Sequence, residues 1–160
     1  MIQRRLVALL PAAALLAACA TSTPQPASVA DALARDPELS TVNELVNRAG
    51  LSETLRTGGP YTFFAPTNAA FKAVPAKTMD ELNSNPARLK AVLSYHVLPS
   101  RLMAADVRNG SVQTSQGAKL ELSRAGSYVT VEDAMVQHAD IAAANGVVHT
   151  VDRVLLPPSR

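Results

Sequence analysis

Apolar and polar positions divide the chain into a helical first half and a stranded second half. From Ser28 onward, apolar residues recur at three- and four-residue spacing, and the runs open on residues suited to helix caps. Ser28 precedes an alanine-rich turn, and Asp36 stands before Pro37 at a first helical position. Thr41 with Glu44 has the spacing of a capping box, and Gly50 closes that helix. Thr78 with Glu81 repeats the box, and Asn85-Pro86 opens a run in which Leu89, Val92, Leu93 and His96 share a face. After Pro99 the period shortens to two. Leu120 and Leu122 alternate with Lys119 and Glu121, and Tyr128 to Val131 follows across Arg124-Ala-Gly126, a β-hairpin pattern. A last apolar run, Val147 to Leu156, is rich in β-branched residues and ends at Pro157-Pro158. Short helices followed by antiparallel strands predict an α+β domain with a strand-built core, not a doubly wound sheet.

The N-terminus follows a different rule. Arg4 and Arg5, an apolar run from Leu6 to Leu16, and the small residues Ala17 and Ala18 read as a secretory signal peptide over residues 1–18. The run is shorter than the ~20 apolar residues of a spanning helix, and Pro11 interrupts it. Cys19 is the only cysteine of an exported chain, so it has no disulfide partner within it. The segment Leu16 to Cys19 (LAAC) resembles the bacterial lipobox, which implies that Cys19 carries the lipid and becomes the new N-terminus. Residues 20–27 (ATSTPQPA) read as a tether of at most roughly 25–30 Å, leaving 28–160 as one domain at the membrane surface. For a Gram-negative organism, Ala20 stands in place of the aspartate that retains such proteins in the inner membrane, which implies an outer-membrane or cell-surface address by the same resemblance.

Loss of the signal changes the charge. Two of the 15 basic residues lie in it and none of the 13 acidic ones does, so the remainder is balanced. The basic pI therefore belongs to the discarded segment, and no basic stripe with interleaved aromatics points to nucleic acid.

Two segments stand out within the domain. Thr62 to Phe71 (TFFAPTNAAF) reads as a buried strand through Phe63 and Phe64, a stop at Pro66, a helix cap at Thr67-Asn68, and a return to the core at Phe71. Four of the six aromatic residues, Tyr61, Phe63, Phe64 and Phe71, crowd here, which marks a folding core. Asn145 to Pro157 (NGVVHTVDRVLLP) opens on a tight turn at Asn145-Gly146, tolerant of positive φ. It continues as a strand whose His149 and Asp152 need partners if both faces are buried. These segments resemble the two signature segments of the fasciclin (FAS1) family. Tyr95-His96 matches that family's Tyr-His element, and Asp140-Ile141 stands where it carries Asp-Ile. The resemblance implies a FAS1-type β-sandwich (wedge) core with several short helices in the N-terminal half. It also implies an adhesion or ligand-binding module whose partner is a protein, a glycan or a small apolar molecule. Two departures stand out. Ala69 replaces the acidic residue common after the asparagine, and His138-Ala139 precede Asp140-Ile141, unlike the integrin-binding animal members.

Other chemistries find little support. His138, Asp140 and His149 fit no zinc spacing, and there is no nucleophile elbow or glycine-rich phosphate loop, so neither an enzyme nor a metal or other cofactor is expected. Two function classes remain: a surface adhesion module, and a structural envelope lipoprotein whose partner is another envelope protein. Met135 to Asn145 is the expected docking segment, as exposed loop or edge, with His138, Asp140 and Ile141 as its contact residues. The competing reading makes Ile141 a core plug and Asp140 a cap.

Overall fold

A computed structural model describes residues 25–158. Six helices, α1 (Val29–Arg35), α2 (Ser40–Arg48), α3 (Ser52–Thr57), α4 (Asn68–Lys72), α5 (Ala76–Ser84) and α6 (Pro86–Tyr95), occupy the first half, with strand β1 (Tyr61–Pro66) among them. The second half holds β2 (Val97–Leu98), β3 (Gly110–Gln113), β4 (Lys119–Ala125), β5 (Tyr128–Val131), β6 (Ala134–Ala143) and β7 (Gly146–Val151). The signal, Cys19 and residues 20–24 of the tether lie outside the described residues. No described helix is long and apolar enough to cross a membrane.

All seven strands form one sheet in the order β2-β1-β7-β6-β5-β4-β3. It bends at β6, whose first residues pair with β5 (Val131↔Ala134) and whose remainder pairs with β7. Its ends meet where Ser115 N–H, just after β3, donates to the Val97 carbonyl of β2 at 2.8 Å. This nearly closed sheet with helices over one face is the α+β architecture the sequence implies. One pairing differs from the antiparallel expectation: β1 and β7 run parallel, Phe63 opposite Val148 and Phe64 opposite His149. Hairpin patterns report only strands adjacent in sequence, and these two are not.

Alternation along β1 explains the two cores. Phe63 faces the helices with Leu33, Val42, Leu45, Leu93 and Val148, while its neighbour Phe64 faces the concave side with Tyr95, Leu120, Leu122, Val131 and Val151. A strand buried on both faces reads as a near-continuous apolar run, which TFFAP and VVHTV approach, broken by the buried polar residues Thr62, His149 and Thr150.

The caps divide into local and long-range ones. Ser28 accepts from Asp31 N–H, Asp36 from Glu38 N–H, and Asn85 from Arg88 N–H. Gly50, at φ +69°, ends α2 in a Schellman motif with Leu51 N–H on the Val46 carbonyl and Gly50 N–H on that of Asn47. The two capping boxes do not form. α2 begins at Ser40 and α5 at Ala76, so Thr41 and Thr78 lie inside their helices. The donor at Thr41 is instead met by Asn68, from α4. The predicted hairpin forms, with its turn at Gly126-Ser127 and Gly126 at φ +63°. The last strand ends at Val151, earlier than the apolar run, and the chain to Pro158 continues without regular structure.

Candidate functional site

The segment from Met135 to Asn145 is neither a loop nor an edge. It forms most of β6, an interior strand, and its exposure comes from irregularity. Between Val136 and His138, and again between His138 and Ile141, β6 advances one residue more than β7 opposite. Two bulges between Val136 and Ile141 break the in-out alternation, so Gln137, His138, Ala139 and Asp140 are all exposed. Asp140 sits at φ +59°, a conformation Asp tolerates better than most residues.

The bulge is held from behind. Asp140 Oδ1 accepts from Ala104 N–H at 2.8 Å, capping a short 3₁₀ turn at Ala104–Asp106. The Asp140 N–H donates to His149 Nδ1 at 3.1 Å, and His149 Nε2 faces the Leu102 carbonyl at 2.7 Å. Those partners fix the proton on Nε2 and leave Nδ1 bare, so the 4.0 Å approach of Asp140 Oδ1 to His149 Nδ1 is not an ion pair at neutral pH. Burial pushes the His149 pKa down, against smaller upward contributions from the Leu102 carbonyl and Asp140. Thr150 Oγ1 accepts from His138 N–H at 2.9 Å, and Asp152 Oδ1 accepts from Met135 N–H at 2.7 Å. Ile141 is partly buried against the helical core. The His138 side chain makes no hydrogen bond or ion pair among the described residues. Asp140 and Ile141 are thus tied into the fold, and Gln137 and His138 face outward.

Gln137 also lines an open groove of about 410 Å³ with Glu38, Thr67, Asn68 and Ala69. The groove's floor is the first signature segment. Thr67 caps α4 through Ala70 N–H. Asn68 Oδ1 accepts from Thr41 N–H at 3.0 Å while its amide donates to the Pro37 carbonyl at 2.9 Å, joining α4 to α2. Phe71 is buried below, and Pro66 closes β1 opposite Val151. Upstream, Thr62 donates to the Ser100 carbonyl and accepts from Leu102 N–H, positioning the chain that receives His149.

The remaining motif residues are interior ties. His96 is fully buried, its Nδ1 donating to the Val92 carbonyl at 2.8 Å and its Nε2 accepting from Leu155 N–H at 3.0 Å. Desolvation lowers its pKa to about 4. His96 stacks on Phe63 and His149 on Phe64, one histidine on each face of β1. The Tyr95 hydroxyl donates to the Lys119 carbonyl at 2.9 Å, with Glu132 Oε1 3.1 Å away, and burial followed by Glu132 raises its pKa to about 12. Asn145 accepts from Val29 N–H at 2.8 Å and donates to the Leu55 and Gly58 carbonyls at 2.8 and 2.7 Å. Gly146 is needed for a reason other than positive φ. A Cβ there would lie 2.2 Å from the Tyr61 carbonyl oxygen, so only glycine lets β7 approach β1.

A helical layer over one nearly closed seven-stranded sheet, with signature polar residues engaged in backbone ties, defines a module of the fasciclin type. The chain belongs to the Fasciclin domain family, which its residues 37–157 match. It is 40% identical over 133 residues to Protein sll1483 of Synechocystis sp., across 82% of this chain and 74% of that one. It is 36% identical over 137 residues to Cell surface glycolipoprotein MPB83 of Mycobacterium bovis, across 82% of this chain and 61% of that one. The fold matches the FAS1 domain pair of the insect cell adhesion molecule Fasciclin I at a TM-score of 0.65 and 17% identity, covering 82% of this chain and about half (51%) of that one.

Proposed function

We propose that this protein is an exported envelope lipoprotein, tethered through Cys19, whose single FAS1 domain docks a protein or glycan partner on the β6 bulge and the adjoining groove. The observation that carries the docking role is the contrast within β6. Asp140 is fixed by Ala104 and buried His149, and the backbone of His138 by buried Thr150, while the Gln137 and His138 side chains are presented to solvent. A patch whose backbone is already held loses little backbone freedom on binding, which favours recognition. Export and anchoring rest on the signal pattern, the LAAC segment and the 36% identity to a cell surface glycolipoprotein. A binding role, not a catalytic one, is the reading supported by its two interior histidines, whose ring nitrogens are all engaged by backbone.

The experiment compares cells carrying the wild type with cells carrying Gln137→Ala/His138→Ala. Loss of adhesion at an unchanged melting temperature supports docking at the bulge. Full adhesion in a stable double variant removes it.

A further inference from the structure

A cavity of about 290 Å³ opens where the sheet closes on itself, between α3, α6 and the bond from Ser115 to Val97. Leu51, Leu55, Val97 and the Tyr61 ring give it an apolar wall. Lys90, Thr54, Ser94 and Ser115 also line it, all but Ser94 exposed to solvent, and no carboxylate does. Lys90 and Ser94 lie four residues apart on α6 and so on one face of it. Among the described residues, these four polar side chains and the Tyr61 hydroxyl make no hydrogen bond or ion pair with the protein. Elsewhere small hydroxyls fold back onto their own helix, as Thr57 does to the Glu53 carbonyl and Ser84 to that of Asp80. Ser94 does not. Side chains with donors and no internal acceptor thus share one cavity with hydrocarbon, which suits an acceptor-only anionic group on a short apolar body. The volume, about 290 Å³, falls just below the ~300–1,000 Å³ of small-molecule sites, so the ligand is small.

We propose that this cavity binds a small aliphatic monocarboxylate, its carboxylate on Lys90 and the hydroxyls and its chain against Leu51, Leu55 and Val97. The cavity shares no residue with the β6 bulge, so either site can fail without the other. The test titrates hexanoate, and hexanol as its neutral counterpart, into the full chain labelled with nitrogen-15. Saturable amide shifts centred on Thr54, Lys90, Ser94 and Ser115 are expected, with hexanol binding about tenfold more weakly. Lys90→Gln weakens hexanoate binding about tenfold, leaves hexanol binding unchanged and does not alter the melting temperature. Shifts that do not saturate or centre elsewhere, equal binding of hexanol, or wild-type hexanoate affinity in Lys90→Gln would each overturn the assignment.

Discussion

His96→Phe keeps a ring of similar size against Phe63 but removes both hydrogen bonds that the imidazole makes. The last turn of α6 tightens, with His96 N–H on the Leu93 carbonyl, so the Val92 carbonyl is left to the ring. Leu155 N–H likewise has the ring as its partner. Orphaning two buried backbone groups costs ~1–3 kcal/mol each, a large share of the ~5–15 kcal/mol that stabilises a typical domain. The same ring makes stability depend on pH. Its pKa falls from the ordinary 6.5 to about 4 in the folded state, so the unfolded chain binds the proton first as the solution is acidified. The contribution is therefore complete above pH 6.5 and is lost as pH falls toward 4. A shift of this size corresponds to roughly 3 kcal/mol. His149, also shifted down, acts in the same direction and is present in both proteins. Urea unfolding followed by circular dichroism at intervals from pH 7 to pH 4 measures the difference. The wild type should be more stable by several kcal/mol at pH 7, and the two curves should converge toward pH 4. Parallel curves would refute the neutral, doubly bonded histidine, and so would a gap that widens on acidification.

Asn145→Ala leaves the Val29 N–H and the Leu55 and Gly58 carbonyls without their side-chain partner, and should lower stability by at least ~2 kcal/mol in thermal denaturation. Gly146→Ala forces β7 away from β1 at the Tyr61 carbonyl, so its melting temperature should fall far more than that of an alanine substitution at exposed Gln137. Asn68→Ala removes the long-range cap of α2 and should cost about 1 kcal/mol, read from the urea midpoint. Cys19→Ser should move the protein from the membrane to the soluble fraction, and retention in the membrane would contradict lipid anchoring.

What the sequence made legible was local or periodic. Ser28, Asp36, Asn85 and Gly50 act on backbone within five residues, and the β4–β5 hairpin repeats every second position, so each could be read in place. The capping boxes failed because spacing alone cannot say which residue begins a helix. Pro37 starts a 3₁₀ turn that runs into α2 and shifts its first residue to Ser40. Contacts between distant segments leave no such trace. Asn68 reaches Thr41, Asn145 reaches Val29, and β1 pairs with β7 across some eighty residues. The β6 bulges were equally hidden, because MVQHADIAA gives no alternation to violate and its register is set by β7. Exposure of the candidate site was anticipated, but from a loop or a sheet edge, whereas a deformed interior strand supplies it. The Lys90 cavity had no sequence signal, since its groups come from α3, β1, α6, β2 and the turn after β3.

The docking claim is tested most directly by competition. Soluble Cys19→Ser protein is added to cells that carry the anchored wild type, and adhesion is measured against its concentration, alongside the same protein bearing Gln137→Ala and His138→Ala. The first should inhibit adhesion in a saturable way, and the second, equally stable, should not. Equal inhibition by both, or none by either, would contradict a binding module that works through the β6 bulge.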